Sequence, residues 1–201
     1  MDIYFVRHGE TLWNKNDIIQ GHLDSPLTEK GREMAKILRK KSKDLKFTKV
    51  YSSDLGRAYE TAKLICPSKP IIKTELLREI DVGSWSGKNF KDIEKEDPIL
   101  YYNYFKRPEI YNRIDGESFY DLNARVKKFF DGALNENQRE NILIVSHGIT
   151  IVSIFNLMEK KSVKDFWYNR VRRNAEFNIA RYEKGEFTII KKAPLNPKQT
   201  I

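Results

Sequence analysis

Cysteine is nearly absent: Cys66 stands alone in 201 residues. One thiol cannot close an internal disulfide, so a reducing compartment, the cytoplasm, is the expected setting. Cys66 precedes Pro67 at an expected helix end, with no second thiol or base beside it, and reads as packing. No apolar run reaches the roughly 18 residues that suggest a membrane-spanning helix. Asp2, followed at once by a strand pattern, argues against a secretory leader. A glycine-rich loop ending in Gly-Lys-Ser/Thr is missing, which excludes a nucleoside-triphosphate cradle of that type. So are a His-Glu-x-x-His pair and paired cysteines, and without them no zinc site is expected. Repeats, low-complexity segments and linkers are also missing, so residues 1–201 are expected to form a single domain.

Positive charge is abundant: 37 Lys and Arg against 28 Asp and Glu give +9 at pH 7. Much of it lies in short mixed runs such as Arg39-Lys40-Lys41-Ser42-Lys43, on what reads as a solvated helix face. No basic stripe is interleaved with stacking aromatics, so neither nucleic acid nor a membrane is expected as a partner. The charge selects anions without saying which.

Two stretches share one design. Ile3-Tyr4-Phe5-Val6 runs into Arg7-His8-Gly9, and Ile142-Leu143-Ile144-Val145 into Ser146-His147-Gly148. Each is a strand pattern that ends in His-Gly. Alone, either would be a strand with polar residues at its tip. Together they place two imidazoles at carboxyl ends of strands, where open α/β sheets bind ligands.

Between them, Asn14 to Pro26 is rich in breakers and reads as a loop. Thr28 N-caps a helix expected to reach about Leu45, with Met34, Ile37, Leu38 and Leu45 assigned to the core. Val50 to Ser53 is a second strand, Asp54 to Ile65 a helix, and Ile71-Ile72 a third strand. Arg57 falls in that helix's first turn, against the macrodipole, which suggests that it holds an anion. Glu79 lies among apolar and glycine residues, a setting that would desolvate a carboxyl. Residues 88–116 are aromatic and irregular, either a lid over the sheet edge or a packed insertion; both fit. A helix from Gly116 to about Asn135, one from about Thr150 to Lys160, and a hairpin of Phe177–Tyr182 with Phe187–Lys191 follow. The tail from Lys192 is expected to fray. The pattern is α/β: a three-layer α/β/α sandwich around a mainly parallel sheet.

Arg7, His8, Asn14, Arg57, Glu79 and His147 all sit at or just after expected strand ends, so one crevice could hold them. Two cations, two imidazoles, a carboxyl and an amide suit phosphoryl transfer, which needs charge stabilisation, a nucleophile and a proton donor.

Val6-Arg7-His8-Gly9-Glu10-Thr11 with Trp13-Asn14 resembles the Arg-His-Gly-Glu-Thr motif of the histidine phosphatase superfamily, the phosphoglycerate-mutase-like proteins. Asp24 to Gly31, Ser52 to Ala58 with Thr61-Ala62, Leu77-Arg78-Glu79 with Gly83 and Trp85-Ser86-Gly87, and Val145 to Gly148 follow in the family's order. Small broad-specificity and alpha-ribazole phosphatase types are the nearest in kind. The resemblance implies a phosphoglycerate-mutase-like fold, His8 as the nucleophile that becomes phosphohistidine, and Glu79 as the proton donor. It implies that Arg7, Arg57, Asn14 and His147 hold the phosphoryl oxygens, with Gln20, Gly21, Ser53 and Gly148 as further contacts, and that no metal or cofactor is needed.

The expected activity is therefore a metal-independent hydrolysis of small phosphorylated metabolites, by a monomer or homodimer. The alternatives are a cofactor-dependent phosphoglycerate mutase and a non-catalytic phospho-ligand-binding module. Such mutases usually carry a longer, basic insertion after the acid segment; here only about thirty residues, six of them aromatic, separate Gly87 from Gly116. One departure stands out. Where many relatives have a basic residue after the second His-Gly, this chain reads Ile149-Thr150-Ile151-Val152. Lys88, Arg107, Arg113 and Arg170 to Arg173 are the remaining candidates to hold a substrate's far end.

Overall fold

Ile3 and Phe5 bury one face of the first strand, β1 (Asp2–Arg7), and Tyr4 and Val6 bury the other. A strand apolar on both faces belongs inside a sheet covered on both sides. In the computed structural model, which describes residues 1–136 and 141–197, β1 is such a strand. With β2 (Lys49–Ser53), β3 (Ile71–Thr74), β4 (Ile142–Ser146), β5 (Asn178–Glu183) and β6 (Glu186–Lys191) it forms one sheet of order β3-β2-β4-β1-β5-β6. The first four strands are parallel, and the last two form the expected antiparallel hairpin at one edge.

Helices cover both faces. Tyr4, Val6, Val50, Leu143 and Val145 pack on α2 (Glu29–Lys41) and α3 (Gly56–Ile65) through Ala35, Leu38, Ala58, Ala62 and Ile65. Ile3, Phe5, Tyr51, Ile142 and Ile144 pack on α6 (Phe119–Glu136) and α7 (Gly148–Met158) through Leu122, Val126, Phe129, Ile151 and Phe155. Truncating a ring as enclosed as Phe5 costs about 3–5 kcal/mol. The expected three-layer sandwich is the observed one.

Four features differ from the pattern. A one-turn helix, α1 (Leu12–Lys15), opens the expected loop, held by Thr11, whose hydroxyl accepts the Asn14 amide at 3.1 Å. Thr28 caps α2 as expected, but the helix ends at Lys41, where the Ser42 hydroxyl donates back to the Arg39 carbonyl at 3.0 Å. Ile37, assigned to the core, is exposed, and Ala35 takes the buried position. The tail does not fray over residues 192–197: the Lys192 ammonium donates to Glu159 at 2.7 Å, and the buried Ala193 amide donates to Asn178 at 2.8 Å. Residues 198–201 lie outside the described region.

The aromatic segment forms α4 (Phe90–Glu96) and α5 (Pro98–Lys106), and packs inward through Ile93, Tyr104 and Tyr111 against Trp85, Phe119 and Phe166. Cys66 is buried, and that burial raises its thiol pKa, as suits a packing residue. Among the described residues no helix is long and apolar enough to cross a membrane.

Candidate active site

Strand register brings the two His-Gly ends together. Arg7 pairs with Ser146, and the His8 amide donates to the Ser146 carbonyl at 2.9 Å, one step past the ladder. The His8 and His147 rings consequently lie 5.3 Å apart, centroid to centroid. Beyond His8 the backbone presses on α2 at Gly9, where a Cβ would stand 2.6 Å from the Gly31 carbonyl oxygen. The Gly9 amide donates to the Thr61 hydroxyl at 2.9 Å, which ties the turn to α3.

The Nδ1 of His8 lies 2.7 Å from the Gly9 carbonyl oxygen. A carbonyl only accepts, so Nδ1 carries the proton and Nε2 keeps its lone pair. Burial first, then the Arg57 and Arg7 guanidinium groups, hold His8 well below the ordinary imidazole pKa of 6.5. Burial, Arg57 and His8 do the same to His147, which is wholly enclosed. Both imidazoles are neutral at pH 7, and neither nitrogen of His147 has a partner within the protein.

Arg57 answers the question its position raises. The anion beside it is Asp24, which accepts from Nη1 at 2.8 Å and from the Gly56 and Arg57 amides at the start of α3. The guanidinium also donates to the Leu23 and Gly21 carbonyls, at 2.7 and 2.8 Å. Gly21 turns there at φ +52°, with Ser86 and Val82 too close for a side chain. Arg7 donates Nη1 to the Arg172 carbonyl at 3.2 Å. Its burial lowers its pKa, against the pull of Glu79, to about 10, so it stays a cation at neutral pH. The Nε of each arginine and the Oε1 of Gln20 are buried and unpartnered within the protein. Buried donors of this kind are costly unless something completes them.

Glu79 is not sealed in apolar surroundings as expected; it is half-buried. Its carboxyl accepts from the Ile149 and Thr150 amides, each at 3.1 Å, and from the Thr150 hydroxyl at 3.2 Å. It thereby caps α7, whose own N-cap residue, His147, offers no side-chain bond. Asp24 and Glu79 thus each satisfy the open amides of a neighbouring helix.

These groups border a cleft with about 650 Å³ of open space, mouth included. Arg7, His8, Asn14, Gln20, Gly21, Arg57, Glu79 and Gly148 line it. His147 and Ser53 do not: the His147 ring beside His8 is wholly enclosed, and the Ser53 hydroxyl accepts the Leu55 amide at 3.3 Å. Among the described residues no three His, Cys, Asp or Glu side chains gather as a metal site. Two buried cations beside a neutral imidazole with a free Nε2 can hold an oxyanion against a nucleophile, with a carboxyl in the same cleft.

Sequence reasoning missed three supports. Asn174 donates to the His8 carbonyl at 2.8 Å. Arg125 on α6 donates to the Leu76, Arg78 and Glu79 carbonyls and forks onto Glu117. His22 sits 2.9 Å, through Nε2, from the same Glu79 carbonyl oxygen. None lies in a strand-end motif, and only Asp24, inside the quoted Asp24–Gly31 stretch, had a local signal.

Residues 3–193 match the model of the Histidine phosphatase superfamily (branch 1). A probable phosphoglycerate mutase, GpmB, of Enterobacter sp. (strain 638) is 35% identical over 153 residues, covering 75% of this chain and 71% of that protein. The solved structure of Bacillus stearothermophilus YhfR superposes with a TM-score of 0.92 at 31% identity, over 97% of this chain and 98% of that one. A putative alpha-ribazole-5'-P phosphatase of Escherichia coli gives 0.85 at 25% identity, over 98% and 97%. With the strand-end histidines, the α/β sandwich and these likenesses in agreement, the chain belongs to the histidine phosphatase superfamily.

Proposed function

We propose that this protein is a phosphatase that hydrolyses small-molecule phosphomonoesters through a phosphohistidine at His8, without a divalent metal. The observation that carries the reading is the His8 Nδ1–Gly9 bond, which leaves Nε2 its lone pair in a cleft also lined by two buried, incompletely partnered guanidinium groups. The phosphoryl group is held by Arg7 and Arg57, with Asn14 completing its oxygens and Gln20, Gly21 and Gly148 bordering it, while the enclosed His147 ring lies beside His8. Ser53 acts through the turn it holds. His8 Nε2 attacks phosphorus in line; the N–P bond forms as the P–O bond to the alcohol breaks. Glu79 delivers the proton that the departing alkoxide takes up. Glu79 then draws a proton from water as that water attacks phosphorus, the N–P bond breaks, and inorganic phosphate leaves with His8 restored. The stabilisation is electrostatic, from charges already in place.

Rapid mixing with a radiolabelled aryl phosphate tests this. A phosphoenzyme that is labile in acid and stable in base is expected in the native protein, and none in His8→Ala. Turnover is expected to persist in chelator. Normal labelling of His8→Ala, or a loss of turnover in chelator that added metal restores, overturns the assignment.

A further inference from the structure

Beyond the phosphoryl end, the cleft contains no cation. Arg7 and Arg57 are the only Lys or Arg side chains among its described lining residues. The aromatic wall of that lining is Phe90, Tyr104, Phe105 and Trp167, with Ile19 beside them. The rings brace one another: Phe105 lies 6.0 Å from Phe90 and 5.7 Å from Trp167, the latter at 30° between planes. The Trp167 indole N–H is already committed to the Tyr104 carbonyl at 2.6 Å. Of the basic residues named for that end, Arg170 and Arg173 are exposed and outside the cleft lining, and the others are engaged elsewhere. Lys88 pairs with Glu96, and Arg107 with Glu109 at 2.6 Å. Arg113 pairs with Asp115 and stacks 4.7 Å over Trp85. Arg172 stacks 5.4 Å over Phe155. The tip of α7 adds no cation: it carries Ile149, which also lines the cleft, and Thr150, which is spent on Glu79.

We infer that the leaving group is an uncharged alcohol with an apolar or aromatic body, and that a substrate bearing a second anion is discriminated against. A carboxylate or second phosphate on this wall would lose its water with no counter-charge in reach. An aromatic body would instead exchange water for ring contacts. The specificity-determining side chains are Phe90, Phe105 and Trp167. The inference rests on the phosphohistidine reading above and narrows it to one substrate class. It also separates this chain from an enzyme built for phosphoglycerate, whose carboxylate would find no partner here.

The test compares 2-phenylethyl phosphate with 3-phosphoglycerate, both esters of primary alcohols, so that leaving-group chemistry does not set the outcome. The expected kcat/KM favours the phenylethyl ester by about 10²-fold, the discrimination that an apolar pocket can supply. Phe105→Arg places a cation on the wall from a partly exposed position, and should narrow that ratio by about tenfold or more, with its folding checked by melting temperature. Comparable rates for the two native reactions, or a preference for 3-phosphoglycerate, overturn the substrate class and leave the phosphatase standing. Hydrolysis of neither ester, or isomerisation of phosphoglycerate with its phosphoryl group retained, removes the phosphatase reading itself.

Discussion

At the scale of single residues, the chemistry depends on what holds each reacting atom. The lone pair of His8 exists because one carbonyl claims the other nitrogen, and Glu79 is oriented because α7 lends it two amides and a hydroxyl. If Glu79 is the acid, its removal should matter in proportion to the leaving group's need for a proton. Glu79→Gln is expected to slow phosphohistidine formation from alkyl phosphates by about 10²–10⁴-fold. An ester of an acidic phenol should suffer much less. Single-turnover labelling isolates that step from the later attack by water. Equal losses for both esters would reduce Glu79 to a pocket-shaping role.

Elements decide where those residues stand. The segment carrying Glu79 runs irregularly between β3 and α4, and irregular backbone needs partners for its carbonyls. Arg125 supplies them from α6: three carbonyls and the Glu117 carboxylate converge on one guanidinium, and Glu117 in turn accepts the Asp81 amide at 2.9 Å. Lysine cannot reproduce such a planar fork. Arg125→Lys should therefore displace Glu79, lowering kcat on alkyl phosphates about tenfold with KM little changed, while aryl phosphates react nearly as before. A uniform loss on both, or a change in KM alone, would mean that Arg125 supports the fold without setting the acid. The same contrast explains α2: its cap and its length are written locally in Thr28 and Ser42, but the exposure of Ile37 depends on where α3 packs.

For the whole molecule, enclosing two neutral imidazoles couples stability to pH. The folded-state pKa values of His8 and His147 lie below 6.5, whereas in the unfolded chain each titrates near 6.5. Above about 6.5 both states are neutral and the full stability is present. As the pH falls below it, the unfolded chain takes up protons that the folded chain resists, so stability declines. The melting temperature is expected to fall between about pH 7.5 and 5.5. His147→Asn should fall less steeply, whatever its starting level. A native profile that is flat or rises toward acid over that window contradicts the burial argument.

Two kinds of information divide the account. Strand type, the sandwich and the strand-end histidines were legible because they are local: side-chain period, turn residues and the His-Gly tips need only a few consecutive positions. His8, His147, Arg7 and Arg57 were named from such stretches. Tertiary structure decided the rest. The carboxylate that meets Arg57 is 33 positions away, and the helix start that holds Glu79 is 70 away. The tail docks because Asn178 and Glu159 happen to face it. Whether a cation reaches the aromatic wall depended on which acidic or aromatic neighbour each arginine met first. Such pairings follow from register and packing between distant segments, for which the linear pattern carries no signal. The side chains at the strand ends were therefore readable from motifs, and the partners that hold them in the cleft only from the folded chain.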